Sequence, residues 1–226
     1  MNDPILEARG VVKDFGLTHA LRGVDAQVRG GEIVAVVGPS GAGKSTLLYC
    51  LAGIIPPDAG EVWFAGRRID ALGEADRSAL RRREFGFVFQ FGQLVPELPA
   101  AENVALPLLL EGTSRREARQ AAGSWLERLG IADIGGQLPG GLSGGQAQRV
   151  ALARALVHGP RVVFADEPTG ALDSVAGEEV MTLLTGMARE QGTTIVLVTH
   201  EPRVAAYSSR EIMLRDGGVV DRAAVR

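Results

Sequence analysis

The sequence predicts an α/β protein with a parallel β-sheet at its core. Three apolar runs of the buried-strand type, residues 33–37, 161–165 and 193–198, each lead into glycine or polar residues. Helical patterns occupy much of the chain between these runs, and strands that alternate with helices favour a parallel sheet. With 226 residues, of which 46% are hydrophobic and 23% charged, the chain can bury a sizeable core.

The chain begins with two strand-like runs, residues 5–13 and 20–28, which are joined by a turn at residues 14–16. A short third strand is predicted at residues 61–64, after a break rich in proline and glycine. Phe15 lies in the first turn, where an aromatic ring can stack on a base; a ring that covers the sheet edge is the alternative.

A glycine-rich loop follows the apolar run 33–37 and precedes a predicted helix at residues 47–52. It fits the pattern G-x-x-x-x-G-K-[ST], and its strand–loop–helix context predicts a phosphate-binding loop rather than a glycine-rich turn without a ligand. Lys44 would reach the β- and γ-phosphates of a nucleotide, and the Ser45 hydroxyl would ligate Mg²⁺. The predicted phosphate-binding residues are Gly38, Pro39, Ser40, Gly41, Ala42, Gly43, Lys44, Ser45 and Thr46.

Helical spacing dominates the middle of the chain. It predicts helices at residues 101–110 and 147–157, and another that starts at a capping residue, Ser114. We therefore expect a helical insert within an otherwise α/β domain. The predicted organisation of the single domain 1–226 is an α/β core at residues 1–92 and 160–226 and a helical subdomain at residues 93–159.

Two strands of the predicted sheet lead into residues suited to hydrolysis. Asp166 and Glu167 follow the run 161–165, and His200 follows the run 193–198. Asp166 suits the shell of a Mg²⁺ ion, and Glu167 suits a base that orients and deprotonates the attacking water. His200 could contact the γ-phosphate. Alone, these residues could be a surface acidic pair and a loop histidine; beside a phosphate loop they predict a hydrolase.

Gln90 ends the apolar run 85–89. Open α/β sheets place their ligand groups at the ends of such strands. The position makes Gln90 a candidate site residue, and an ordinary glutamine at a strand end is the alternative.

A second anion-binding device is predicted at Ser143, Gly144, Gly145 and Gln146, which open the helix at residues 147–157. Free N–H groups and a serine hydroxyl point out of such a helix start. One triphosphate needs only one phosphate site, so a second device suggests that it closes over the nucleotide of another copy. The prediction is a head-to-tail dimer with two sandwiched nucleotides; a simple capped helix is the alternative.

Composition restricts the class of partner. A formal charge of −3 without a basic tract argues against nucleic acid. The single cysteine, Cys50, excludes an internal disulfide and is expected to be a small buried residue. The N-terminus lacks the pattern of a signal peptide, and no apolar run is long enough for a membrane span. We therefore expect a cytoplasmic protein that can dock on a membrane partner.

The order of these motifs resembles ABC-transporter nucleotide-binding subunits over essentially the whole chain. The shared motifs are residues 38–46, Gln90, the Leu-Ser-Gly-Gly-Gln segment at 142–146, residues 162–167, the Ala-Leu-Asp segment at 171–173, and His200. The resemblance implies a P-loop NTPase (RecA-like) core with an N-terminal antiparallel β subdomain and an inserted α-helical subdomain. It also implies ATP and Mg²⁺ as cofactors.

The resemblance assigns further roles. Gln90 would sense Mg²⁺ and the γ-phosphate and connect to the membrane partner, and Phe15 would stack on the base. Residues 143–146 would act on the nucleotide of the partner copy, and Asp173 would link the two sites. Since Glu167 is present, neither site of a homodimer should be degenerate.

Several stretches narrow the resemblance to the ATPases of macrolide export, lipoprotein release and antimicrobial-peptide resistance. They are residues 85–90, 102–107 and 166–174. Residues 95–99, Val-Pro-Glu-Leu-Pro, depart from the family pattern in the segment that faces the permease, which leaves partner and cargo open. The expected function is ATP hydrolysis by a homodimer docked on a permease at the inner face of the cell membrane. The alternatives are a mechanical or regulatory ATPase that moves no cargo and a soluble ABC ATPase.

Overall fold

A computed structural model describes residues 4–220 of the chain. Contacts divide these residues into two compact units. Unit 1 consists of the described residues up to Arg81 and from Thr194 onward, and unit 2 is Arg82–Thr193. The segment 93–159 falls within unit 2, and its assignment as a separate helical subdomain stays a prediction.

Unit 1 contains two β-sheets with a helix between them. An antiparallel sheet has the order β2-β1-β4-β5, and in the second sheet β3 pairs in parallel with β8 and with β9. Helix α1 contacts β1, β2 and β4 of the first sheet and β8 of the second. The elements are β1 (Pro4–Phe15), β2 (Thr18–Arg29), β3 (Ile33–Val37), α1 (Lys44–Leu51), β4 (Ala59–Phe64), β5 (Arg67–Arg68), α2 (Glu74–Glu84, whose last residues belong to unit 2), β8 (Thr194–Val198), α7 (Pro202–Ala205), β9 (Arg210–Arg215) and β10 (Gly218–Val219).

The core of unit 1 forms around α1 and β3. Leu47, Leu48 and Leu51 of α1 are at most 1% exposed, and each buried leucine contributes roughly 1.5–3 kcal/mol relative to an exposed one. Cys50 is buried among them, as predicted, and burial raises the pKa of its thiol to about 12. The parallel register sets Val36 opposite Val198, so β3 and β8 end at the same edge of the sheet.

Unit 2 combines a pair of parallel strands with four helices. The elements are β6 (Phe85–Phe89), α3 (Ala100–Leu110), α4 (Arg115–Arg128), α5 (Gly144–Leu156), β7 (Val162–Asp166) and α6 (Ser174–Gln191), with short 3₁₀ turns at Ala132–Ile134 and Pro139–Gly141. Helix α5 contacts β6 and the other three helices. It starts three residues before the helix that the sequence predicts, because the glycines of the segment 142–146 are already helical. Within residues 4–220, no helix is long and apolar enough to cross a membrane.

Close backbone packing fixes α5 on β6. A Cβ atom at Gly86 of β6 would lie 2.1 Å from the carbonyl oxygen of Ala155 in α5, so only glycine permits this approach. On the strand pair, the ring centroids of Phe85 and Phe164 are 5.1 Å apart in an edge-to-face arrangement. The end of helix α5 therefore has a well-defined position on β6, the strand that leads to Gln90.

Candidate functional site

The phosphate loop, residues 38–46, connects β3 to α1 in unit 1, in the strand–loop–helix context that the sequence predicts. The residue before α1, Gly43, has a φ of 95° and no side chain that could cap the helix. No side chain therefore caps the start of α1, and the partial positive charge of such a helix start favours an anion.

Two glycines of the phosphate loop lie where a side chain would collide with backbone. A Cβ atom at Gly38 would come within 2.1 Å of the Leu214 carbonyl oxygen, and one at Gly43 within 2.3 Å of the Ala20 carbonyl oxygen. Gly43 also has the positive φ that favours glycine. Strands β9 and β2 thus enclose the loop and hold it in shape independently of a ligand.

Lys44 places a positive charge on the phosphate loop. Its side chain is nearly buried, and Nζ donates to the carbonyl oxygens of Gly38 and Pro39, both at 2.9 Å. A compact ammonium in this position suits phosphate oxygens. Ser45 follows in the first turn of α1 and supplies a hydroxyl oxygen, the type of ligand that Mg²⁺ prefers. These residue types fit a nucleoside triphosphate with its magnesium ion.

His200 lies at the sheet edge from which the phosphate loop begins. The N–H of Thr199 donates to the carbonyl oxygen of Val36 at 3.3 Å, which ties the end of β8 to β3. The Thr199 hydroxyl in turn accepts from the N–H of Glu201 at 3.0 Å and fixes the turn that carries His200. The imidazole is exposed, so it is accessible to a ligand bound at this edge.

Phe15 is the last residue of β1 and remains half exposed. The Nζ atom of Lys13 lies 5.6 Å from the centroid of its ring, and the same atom is 2.9 Å from a carboxylate oxygen of Asp58. An exposed aromatic face is what stacking on a base requires. The role of Phe15 in base binding stays a prediction.

Gln90, Asp166 and Glu167 come together in unit 2. Phe89 pairs with Asp166 across the parallel strands, so Gln90 and Glu167 leave the sheet at the same edge. Glu167 has a φ of 49°, a left-handed conformation that costs a non-glycine residue roughly 1–3 kcal/mol and that concentrates at functional sites. This left-handed conformation turns the backbone directly after β7.

The Gln90 side chain packs on the turn that follows Glu167. A Cβ atom at Gly170 would lie 2.8 Å from Nε2 of Gln90, so the absence of a side chain there makes room for the amide. The turn is closed by a hydrogen bond from the Gly170 N–H to the Glu167 carbonyl oxygen at 3.0 Å. Gln90 therefore contacts the segment that carries the two candidate acidic residues.

The signature segment, residues 142–146, forms a complete capping box at the start of α5. The Ser143 hydroxyl accepts from the Gln146 N–H at 3.3 Å, and the Gln146 side chain accepts from the Ser143 N–H at 2.9 Å. Ser143 and Gly144 are exposed. The structure contains the capped helix of the alternative interpretation, and it leaves that helix start accessible for an anion.

Asp173 caps α6 next to the signature segment. Its Oδ1 atom accepts from the N–H groups of Val175 at 3.0 Å and Ala176 at 2.9 Å. An open cleft of about 470 Å³ is lined both by residues 143–146 and by residues 171–173. Two motifs that are nearly 30 residues apart in sequence thus share one surface of unit 2.

Comparison with known proteins settles the family. The sequence model described as ABC transporter matches residues 21–170. The chain belongs to the ABC transporter family. It is 39% identical to the ATP-binding cassette MJ0796, solved as a dimer in a post-hydrolysis state with ADP and Pi; the match covers 96% of this chain and 97% of that one, with a TM-score of 0.89.

Relatives at similar identity agree with the subgroup that the sequence suggests. The chain is 46% identical to the pyoverdine export ATP-binding/permease protein PvdT of Pseudomonas syringae pv. syringae, a match over 99% of this chain and 35% of that protein. It thus spans about a third of the length of that relative. It is 42% identical to the lipoprotein-releasing system ATP-binding protein LolD of a Shewanella species, over 96% of both chains.

Family membership confirms two predictions. The fold is that of a P-loop NTPase, with the antiparallel and parallel sheets described above. The chain is an ATPase of the ABC type, since its relatives include a cassette solved with the products of ATP hydrolysis. Site roles of individual residues remain predictions.

Two buried amides in unit 2 were missed by the sequence analysis. Asn103 is fully buried and bonds the backbone of residues 95–98, and Gln148 is 2% exposed and bonds the carbonyl oxygens of Phe89 and Pro168. A signal for Gln148 was present, because it shares the apolar stripe of α5 with Ala151 and Ala155 at helical spacing. A polar residue on such a stripe needs buried partners.

Proposed function

We propose that two copies of this chain bind ATP between them and use its hydrolysis to drive a membrane permease in export. The observation that carries the proposal is the open cleft of unit 2, where the exposed start of α5 and the Asp173 segment face solvent together. An anion-binding helix start that a single chain leaves open is completed by a ligand presented from outside. The dimeric structure of the cassette MJ0796 supports this arrangement.

Nucleotide binding is assigned to residues of unit 1. The N–H groups of the phosphate loop and the ammonium of Lys44 hold the phosphates, and the exposed ring of Phe15 stacks on the base. Mg²⁺, when bound, neutralises charge on the β- and γ-phosphates, with Ser45, Gln90 and Asp166 as the residues that hold it directly or through water.

Hydrolysis is assigned to Glu167 and His200. Glu167 orients the attacking water and accepts its proton. Its left-handed backbone supports this role, because such strain concentrates at functional sites. His200 contacts the γ-phosphate from the edge at which β3 and β8 end. Gln90 senses Mg²⁺ and the γ-phosphate and connects the nucleotide site to the membrane partner.

The partner copy contributes Ser143, Gly144, Gly145 and Gln146 to each nucleotide. The capping box leaves these residues ordered before the partner arrives, so little conformational entropy is lost on closure. Asp173 links the two sites, because it is held rigidly at the start of α6 beside the same cleft.

Export through a permease is supported by the relatives. PvdT is named as a pyoverdine export ATP-binding/permease protein, and LolD as the ATP-binding protein of a lipoprotein-releasing system. In this proposal the chain is cytoplasmic and peripheral, held at the inner face of the cell membrane by its permease. A mechanical role without cargo is the rival, and a transport assay with the reconstituted permease separates the two: ATP-dependent cargo movement supports export, and ATP turnover without cargo movement contradicts it.

Two substitutions test the dimeric site. Glu167→Gln should still bind ATP and dimerise, but its kcat should fall about 10²–10⁴-fold, the usual contribution of a general base. In the Glu167→Gln background, Ser143→Arg should leave ATP binding intact and abolish the dimer, because a long cationic side chain then fills the start of α5. Normal turnover by Glu167→Gln would remove the role given to that carboxylate.

The matched control for Ser143→Arg is Ser114→Arg in the same background. Ser114 caps α4 as Ser143 caps α5, with an N–H to hydroxyl distance of 3.3 Å in both, and both serines are exposed. The control should dimerise on ATP. Loss of the dimer in both variants would show a general effect of an arginine at a helix cap and would contradict the assignment of residues 143–146.

A further inference from the structure

Gln148 joins three parts of unit 2 through one buried side chain. It lies in α5, five residues after Ser143, and its Nε2 atom donates to the carbonyl oxygens of Phe89 at 2.9 Å and Pro168 at 2.6 Å. Phe89 immediately precedes Gln90, and Pro168 immediately follows Glu167. One amide group therefore contacts the backbone beside two of the candidate site residues.

Both donors of the Gln148 amide are used in this arrangement. A glutamine amide has two N–H donors, and each of the two carbonyl oxygens takes one. The side chain is 2% exposed, so water does not compete for either bond. The ends of β6 and β7 are held at a fixed separation by a group that belongs to neither strand.

The same helix also holds the loop that follows Gln90. Arg154 of α5 donates from Nη2 to the Gly92 carbonyl oxygen at 2.7 Å and from Nη1 to the Gln93 carbonyl oxygen at 2.8 Å. A Cβ atom at Gly92 would lie 3.4 Å from the carbonyl oxygen of Ala147, which shows how closely the loop lies on α5. The Gln90 loop, residues 90–93, therefore lies against the start of α5 at Ala147 and is hydrogen-bonded to Arg154 near the end of the helix.

We propose that Gln148 is a positioning residue for ATP hydrolysis, whose amide holds the backbones beside Gln90 and Glu167 in register with each other and with the signature helix α5. A displacement of the start of α5, where the partner's nucleotide binds in the proposed dimer, is transmitted by this amide to both residues. The inference rests on the proposed roles of Gln90 and Glu167. A buried amide that only satisfies two carbonyl groups is the alternative.

The test compares steady-state ATP hydrolysis by the full chain and two variants. Gln148→Met keeps the length and volume of the side chain and removes both donors. Gln148→Asn keeps the donors on a side chain one methylene shorter, which cannot span both carbonyl oxygens. Misplacement of reacting groups by about 1 Å lowers rates about 100-fold, so both variants should lose about 10–100-fold in kcat. KM for ATP should stay within about twofold, since the lost interaction matters for turnover rather than for binding.

Thr185→Val is the matched control. Thr185 is also buried in unit 2, and its hydroxyl donates to the Met181 carbonyl oxygen of its own helix at 2.8 Å, away from the site residues. Its kcat should stay close to that of the wild type. If Thr185→Val loses as much kcat as Gln148→Met, or if both Gln148 variants keep wild-type kcat, the positioning role is wrong.

Coupling to Gln90 gives the second readout. If Gln148 acts partly through Gln90, the loss of kcat on Gln148→Met should be smaller in a Gln90→Ala background than in the wild type. Equal losses in the two backgrounds would contradict the coupling. Glu167→Gln, measured in parallel, keeps the two questions apart: normal turnover in that variant refutes the proposed function, whatever the Gln148 variants do.

Discussion

The two units hold their site residues by different physical means. In unit 1, Gly38 and Gly43 lie against carbonyl oxygens of neighbouring strands, so the shape of the phosphate loop is enforced by backbone contact. In unit 2, the segments that carry Gln90 and Glu167 are held by the buried amide of Gln148 and the guanidinium of Arg154, which donate to backbone carbonyl oxygens. Steric contact therefore shapes the phosphate loop of unit 1, and directional hydrogen bonds hold the segments of Gln90 and Glu167 in unit 2.

The two units should therefore respond differently to an added atom or to a displaced helix. A loop confined by backbone contacts has one shape and tolerates no added atom. A loop held by side-chain hydrogen bonds has a shape that depends on where the donating helix lies, so α5 can alter it by moving. The rigid phosphate loop and the adjustable segments of Gln90 and Glu167 therefore lie in different units.

The largest expected effect comes from adding one methyl group in unit 1. Gly43→Ala places a Cβ atom 2.3 Å from the Ala20 carbonyl oxygen and strains a φ of +95°. We expect thermal unfolding to show a loss of at least about 4 kcal/mol, in the range of exceptional point mutations, together with loss of ATP binding. The control is Gly41→Ala, because Gly41 also has a positive φ, of +78°, but nothing lies within 4 Å of an added Cβ.

Gly41→Ala should lose only about 1–2 kcal/mol, the cost of a left-handed alanine. Similar losses for the two variants would mean that the backbone contact with β2 does not shape the phosphate loop. The proposed difference between the two units would then not hold for unit 1.

A smaller effect is expected from removing a buried amide of unit 2. Asn103 accepts from the Val95 N–H at 2.7 Å and donates to the carbonyl oxygens of Val95 at 3.0 Å and Leu98 at 2.8 Å. Asn103→Ala leaves these groups without their partner, and denaturant unfolding should show a loss of about 2–3 kcal/mol. Thr185→Val, which removes one hydroxyl donor within a helix, should lose about 1 kcal/mol. Equal stability of Asn103→Ala and the wild type would show that the loop at residues 95–98 does not depend on side-chain bonds.

The smallest effect concerns pH and unit 2. His158 bonds the Phe85 carbonyl oxygen through Nε2 at 3.1 Å, and its buried Nδ1 has no hydrogen-bond partner among the described residues. Burial lowers the pKa of this imidazole below its usual 6.5, so the folded chain binds the proton less readily than the unfolded chain does. Below about pH 6.5 the unfolded chain binds a proton that the folded chain does not, and the stability must fall as the pH falls.

Unfolding free energies at pH 7 and pH 5 measure this term. The wild type should lose more stability over this interval than His158→Gln, which lacks this imidazole. If both proteins show the same dependence on pH, burial of His158 does not contribute to the acid sensitivity of unit 2.

Sequence reasoning was most successful where a motif dictates local geometry. The structure contains the phosphate loop, the cap of α5 at Ser143 and strands that end at Phe89 and Asp166. Each of these features depends mainly on residues that are close neighbours in sequence. The bounds moved by a few residues. For example, β1 runs to Phe15 rather than residue 13, because its pairing with β2 continues up to the tight turn.

The missed features depend on partners that are distant in sequence. Gln148 bonds Phe89, 59 residues away, and no local pattern states which carbonyl groups a buried amide will meet. The close approach of Gly38 to β9 likewise requires the sheet order, which places the last strands of the chain beside β3. The strain at Glu167 was not predictable either, because a non-glycine residue with positive φ has no sequence signature of its own.

In the proposed dimer, the site of one chain is completed by the signature segment of another. The molar mass in solution of Glu167→Gln, measured by light scattering during gel filtration with ATP, with ADP and without nucleotide, tests this arrangement. We expect a dimer with ATP only, and a monomer with ATP once Ser143→Arg is added, while Ser114→Arg still gives the dimer. An ATP-dependent dimer that forms equally well with Ser143→Arg would show that residues 143–146 do not complete the site.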